Sequence, residues 1–203
     1  MSKRFELPIN TYLQSKIEKP IRDKTDIIIL LLETINLLLI GNSIENDGNQ
    51  GKIIIYIDKM SRIVYQTEDK MFSVNFPFFC EIGEDGYTIR ENDIILNFQI
   101  VSELMSIIID IQQNNDIDSI LGKIIDSEEI YRLIIKMLKT EYGYVRYDYD
   151  QENCNGNLHP LNHLDVNFSS NVQYKLGLEN TINLDTFIDI LDLKTDCYFL
   201  NNN

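Results

Sequence analysis

Cysteine is scarce in this sequence: Cys80, Cys154 and Cys197 stand far apart, and the opening stretch MSKRFELPIN lacks the apolar core of a secretory leader. Three unevenly spaced thiols without an export signal argue against a disulfide framework, so the expected compartment is the reducing cytoplasm. Positive charge is scarce as well. Lysine and arginine total 18 against 32 aspartates and glutamates, a net charge of −14, and such a surface disfavours extended contact with a nucleic-acid backbone. The nearest approach to a basic patch, Lys16, Lys19, Arg22 and Lys24, is interleaved with Glu18 and Asp23 and reads as a solvated surface. The acidity suits a basic protein partner, or plain solubility. No apolar run is long enough for a membrane: the longest, Ile27 to Ile40, contains Glu33 and has about 14 residues, where a spanning helix needs about 20. A phosphate loop, a dinucleotide fingerprint and a Gly-x-Ser-x-Gly elbow are all missing, which removes common nucleotide-binding and hydrolase readings.

What is present is globular. Hydrophobic residues make up 44% and charged residues 25%, which fits one domain over residues 1–203. Ile27 to Ile40 predicts an enclosed helix, capped by Thr25 or Asp26 and ended by Gly41-Asn42. Asn46 to Gly51 reads as a loop opening onto the strand KIIIYID, which turns at Asp58-Lys59 into SRIVYQTED. MFSVNFPFFCEIG alternates until Pro77, and Gly83 and Gly86 bracket a turn. Ile94 to Ile100 reads as a strand or as the first turns of a helix continuing to Gln112; in the favoured order, strand then helix, Ser102 caps a helix with Leu104, Met105, Ile108 and Ile111 on its buried face. NNDID breaks that helix, and Asp126 with Glu129 forms a capping box for EEIYRLIIKMLKT. The expected fold is therefore α+β, a single domain with an antiparallel sheet, about three main helices, and a C-terminal hairpin followed by a third strand and a short helix.

Both histidines lie between Tyr144 and Phe168. In a strand, Tyr144, Arg146, Asp148 and Asp150 share one side and Val145, Tyr147 and Tyr149 the other; in the next run His163, Asp165 and Asn167 oppose Leu164, Val166 and Phe168. If the two runs pair antiparallel with their apolar rows on the core, then Arg146, Asp148, His163 and Asp165 converge on one face. His159, fixed by the following Pro160, stands at the mouth of the Asn- and Gly-rich loop between them. In the third run, NVQYKLGL, register decides whether Lys175 joins.

Three uses of these groups stay open. A metal such as zinc or manganese would take His159, His163 and a carboxylate from Asp148 or Asp165. A metal-free phosphoryl or phosphodiester site would use a histidine as general acid or base, with Arg146 and Lys175 holding the phosphate charge. A purely structural face would pair Arg146 with Asp148 or Asp165 and leave the histidines on the surface. Two further readings carry less weight: Cys154 as a thiol nucleophile beside His159, and Tyr142, Tyr144, Tyr147 and Tyr149 as a base-stacking platform. The residues assign no cofactor and no particular metal. The candidate catalytic set is Arg146, Asp148, His159 and His163.

VRYDYD…HPLNHLDV, followed by VQYKLGL and LDTFIDILDLKTDCYFL, resembles the end of an uncharacterised bacterial family of domains of unknown function. That ending reads Arg-x-Asp-Tyr-Asp, a variable loop, His-Pro-x-x-His-Leu, a strand with a basic residue, and a Phe-containing helix leading to an aromatic pair. It matches here at Arg146, Asp148, Tyr149, Asp150, His159, Pro160, His163, Leu164, Lys175, Phe187 and Tyr198-Phe199. The resemblance covers the chain from Tyr144 onward. Lys175 stands where the family tends to have arginine, so a planar bidentate contact there is not expected. The Arg-Tyr-Asp and clustered histidines are also loosely similar to small toxins that partner minimal nucleotidyltransferase antitoxins. The family resemblance implies no reaction; the similarity to toxins implies a toxin-like or defence-associated effector acting on a phosphate-containing substrate, and the acidic surface gives the alternative of a non-catalytic adaptor with a protein partner.

Overall fold

Strand-length runs of isoleucine and one almost wholly apolar helix dominate the N-terminal half, and such segments need cover on more than one side. The computed structural model, which describes residues 3–19, 21–41, 51–57, 61–83, 86–114, 116–169 and 172–199, supplies that cover in an α+β fold. The chain begins with β1 (Lys3–Pro8), α1 (Thr11–Ile17) and α2 (Lys24–Ile40), then runs through β2 (Lys52–Ile57), β3 (Arg62–Gln66) and β4 (Lys70–Asn75). Next come β5 (Phe79–Gly83), β6 (Gly86–Glu91) and β7 (Ile94–Ile95), and then α3 (Phe98–Asn114), α4 (Ile117–Ile124) and α5 (Glu128–Lys139). It closes with β8 (Tyr144–Tyr149), β9 (Asn162–Ser169), β10 (Val172–Leu178) and α6 (Leu184–Leu191). Two antiparallel sheets result, one in the order β1-β2-β3-β4-β8-β9-β10 and a small one of β5-β6-β7. Pro77 falls between β4 and β5, where the chain leaves the large sheet for the small one. Among the described residues no helix is long and apolar enough to cross a membrane.

The large sheet has a core on each face. Ile53, Ile55, Ile63, Tyr65, Phe72, Val74 and Tyr144 point to the side covered by α1 to α5, where they meet the buried faces of α2, α3 and α5. Ile54, Val64, Met71, Tyr147 and Leu164 point to the other side and close over Phe187 and Ile188 of α6. Helix α2 is enclosed by both its own layer and the sheet, and its one buried polar side chain, Thr34, donates to Leu30 O at 2.8 Å and lies 2.7 Å from the Tyr65 hydroxyl.

Several local expectations shift. The cap of α2 is Asp23, whose carboxylate accepts from Asp26 N while Asp26 accepts from Asp23 N; neither Thr25 nor Asp26 is the cap itself. Gly41 does end the helix, at φ +72°. The strand expected from Ile94 to Ile100 stops at Ile95, because the Asn97 side chain accepts from Ile100 N at 3.0 Å and α3 starts at Phe98, well before Ser102. The capping box of Asp126 and Glu129 does not form: α4 runs to Ile124, Asp126 is held in the tight turn that follows, and Ser127 takes the cap position of α5. The loop over 46–50, Asn42 and the turn at Asp58-Lys59 lie outside the described residues.

Candidate functional site

Alternation along β8 and β9 does bring the polar residues to one face. Arg146 stands opposite Asp165 and Asp148 opposite His163, while Tyr147 opposes Leu164 on the face covered by α6. The core that receives this apolar row is thus the smaller one; the polar row continues the face of the main core, outward from Phe72 and Tyr144. β10 adds Lys175 opposite Asp165 and Gly177 opposite His163. β4 adds Lys70 opposite Asp148. Two cross-strand rows therefore form the site, Lys70–Asp148–His163–Gly177 and Arg146–Asp165–Lys175.

Arg146 holds both aspartates. Its Nη2 donates to Asp165 Oδ2 at 2.5 Å, and its Nε lies 2.6 Å from Asp148 Oδ2 as an ionic contact rather than an aligned hydrogen bond. Burial works against the guanidinium charge, but Tyr144, Asp148 and Asp165 outweigh it and raise the pKa above the ordinary value. The side chains of Arg146, Asp148 and Asp165 are 23%, 17% and 14% exposed, so this is a half-sheltered cluster and not a surface pair.

His163 is buried, at 1% exposure, where the structural reading of the sequence expects a surface imidazole. Its Nδ1 lies 2.9 Å from Pro160 O, and a carbonyl only accepts, so Nδ1 carries the proton. Nε2 then faces Asp148 Oδ2 at 3.6 Å and Asp165 Oδ1 at 4.0 Å. Pro160 reaches its place because Gly177 has no side chain: a Cβ there would stand 3.0 Å from Pro160 Cγ.

The loop between β8 and β9 is held by its own hydrogen bonds. Asp150 accepts from Asn153 N at 3.0 Å and from the Asn153 amide, and Asn155 and His159 form a two-residue bridge. This places His159 Nε2 3.1 Å from Asp150 Oδ2, with Lys175 Nζ 3.4 Å from Nδ1. Backbone and side-chain bonds from Asn153, then His159, hold the Asp150 carboxyl below its ordinary pKa. The two imidazoles meet edge to face at 4.7 Å between centroids. Beside them an open cleft of about 440 Å³ is lined by Glu18, Asp69, Asp148, Asp150 and Glu152, with Lys70 and Arg146 as its cations.

All four residues selected from the sequence, Arg146, Asp148, His159 and His163, are therefore neighbours. Among the described residues the group with metal-ligand spacing is Asp148, His163 and Asp165, without His159; single ligand atoms from the three lie within 4.8 Å of one another. Both nitrogens of His159 are engaged, by Asp150 and Lys175. Tyr142, Tyr144 and Tyr147 are buried and offer no stacking platform, and Cys154 is exposed in the loop. Lys70 escapes sequence reasoning because its membership depends on β4 pairing with β8, far along the chain. Its ammonium donates to Ile17 O at the end of α1, and burial, reinforced by Arg146, lowers its pKa to about 8.

No protein-family model, curated protein or solved structure matches this chain. The residues themselves carry what can be said of the site.

Proposed function

We propose that this face is the active site of a cytoplasmic, toxin-like or defence-associated bacterial effector that acts on a phosphate-containing substrate. The observation that carries the reading is the series Asp150–His159–Lys175. A carboxylate orients a partly exposed imidazole through Nε2, and the ammonium of Lys175, itself 43% exposed, stands at the other ring nitrogen. Lysine can only donate, so Nδ1 is the basic nitrogen and Nε2 carries the proton given to Asp150. This becomes the arrangement of a positioned general base or acid once the exposed Lys175 ammonium turns from Nδ1 to a phosphoryl oxygen. Arg146 is not a free phosphate clamp, since Asp148 and Asp165 occupy it; its role in this reading is to position the aspartates. The test is induction in a bacterial host. Wild type should slow growth, and His159→Gln at equal soluble level should relieve it; equal growth of the two would reject the reading.

A second reading has its own support. The cleft carries five carboxylates against two cations, which suits an adaptor that holds a basic segment of a protein partner. Glu18→Lys with Glu152→Lys should then abolish capture of that partner at low salt while His159→Gln retains it; undiminished capture by the charge-reversed chain would reject it.

A further inference from the structure

Two buried acceptor atoms in the cluster face each other with no donor between them. His163 Nε2 has no hydrogen-bond partner among the described residues, and neither has Asp165 Oδ1, which lies 4.0 Å away. The protonation of His163 is set from the other side of its ring, where Nδ1 gives its hydrogen to Pro160 O. Nε2 is left as a bare lone pair. An imidazolium would do otherwise: an N–H at Nε2 would draw a carboxylate to roughly 2.7–2.9 Å, whereas Asp148 Oδ2 stands at 3.6 Å and Asp165 Oδ1 at 4.0 Å. Burying two unsatisfied acceptors mouth to mouth is unfavourable unless something positive sits between them.

We infer that Asp148, His163 and Asp165 form a binding site for a single divalent transition-metal ion. Two donors bound at about 2.0–2.2 Å to a tetrahedral ion stand roughly 3.4 Å from each other, so Asp148 Oδ2 at 3.6 Å from Nε2 is already near that span and Asp165 Oδ1 at 4.0 Å closes to it by a shift of about half an ångström. Asp148 supplies the third donor from the opposite strand. One imidazole with two carboxylates suits zinc, manganese or ferrous iron better than calcium, which takes oxygen alone. The surroundings are those of a ligand shell. The second nitrogen of His163 is fixed by a main-chain carbonyl, and Arg146 holds Asp165 through Oδ2, turning Oδ1 inward. Lys175, 3.8 Å from Asp165 Oδ1, is the one cation on the inner oxygen among the described residues, and its exposed side chain can swing away. The acidic cleft beside Asp148 gives a cation a route in.

The site goes beyond the phosphate reading and does not require it. His159 is the base in that reading and is no ligand here. If both hold, the ion adds the positive charge that the cluster, with its carboxylates and cations in near balance, lacks for an anionic substrate.

The test is binding of Mn²⁺ and of Zn²⁺ alone to the full chain after dialysis against chelator, by calorimetry and, for Mn²⁺, by loss of the free-ion electron-spin resonance signal. One ion per chain is expected, with a rise in melting temperature. Asp148→Asn and Asp165→Asn should each weaken binding at least 30-fold, and His159→Gln should leave it within threefold. His163→Gln alters a fully buried side chain, so the two aspartate variants, checked for wild-type circular dichroism, decide the matter. No binding by wild type at millimolar ion would overturn the proposal, and so would binding that survives both aspartate changes, which would put the ion elsewhere on the acidic surface. Neither readout involves turnover or growth, so failure here leaves the His159 reading standing, and failure of that reading leaves the metal site standing.

Discussion

Arg146 is the point at which the cluster is most open to a quantitative challenge. Replacing it with methionine keeps an aliphatic stem opposite Phe72 across the sheet and removes the charge shared by Asp148 and Asp165. Breaking a fully buried pair in this way costs about 3–5 kcal/mol. These side chains retain 14–23% exposure and Lys175 remains close, so water and the second cation screen the loss to about 2–3 kcal/mol. Asp165→Asn should cost less, about 1–2 kcal/mol, because Arg146 keeps Asp148 as a partner. Once the guanidinium is gone the second change removes a repelled carboxylate instead of a paired one, so the double variant should be about 1–2 kcal/mol more stable than the sum of the singles implies. Urea unfolding of the four proteins at pH 7 after metal removal, with matched slopes, measures this directly. Additivity of the two changes within about 0.5 kcal/mol would refute the idea that Arg146 exists to compensate these carboxylates.

Two other outcomes follow from buried groups away from the histidines. Lys70 has a folded pKa of about 8 against its ordinary 10.5; above pH 8 the unfolded chain binds more protons than the folded one, so stability should rise with pH from 8 to 9.5 by about 1 kcal/mol relative to Lys70→Met, in which that component is absent. Parallel pH profiles of the two proteins in urea titrations would contradict it. The Tyr65 hydroxyl gives its hydrogen to Thr34, which gives its own to Leu30 O, so Tyr65→Phe should cost about 1 kcal/mol, while Thr34→Val strands a buried donor and should cost about 2 kcal/mol. The reverse order in chemical denaturation would show that the chain of donors runs the other way.

The site was legible from sequence to the extent that it depends on period two. Arg146, Asp148, His163 and Asp165 alternate with apolar residues on two runs joined by a loop, and antiparallel pairing of neighbours in the chain follows from that alone. Lys175 follows by the same logic once the register of β10 is known. What periodicity does not encode is which distant strand lies alongside, and so Lys70 and the neighbourhood of α1 were invisible. Nor does it distinguish one face of a sheet from another when both are covered: Val145, Tyr147 and Leu164 were expected on the core, and they lie on a second core made by α6. Local competition explains the rest. Leu96, Phe98 and Ile100 alternate as a strand should, but the Asn97 side chain captures Ile100 N and turns the segment into α3. β1, α1 and α4 have too few residues for their patterns to stand out.

The pairing of β4 with β8 has a consequence for how the protein comes into being. Everything from Phe76 to Gly143 is an excursion between two strands that end as neighbours. On the ribosome, β1 to β4 must wait with one margin unzipped until the last third of the chain emerges, and a nascent chain halted before Tyr144 would display that margin to any other strand nearby. The face that carries Lys70, Arg146, Asp148 and His163 is thus assembled late, because Lys70 gains these neighbours only when β8 pairs with β4.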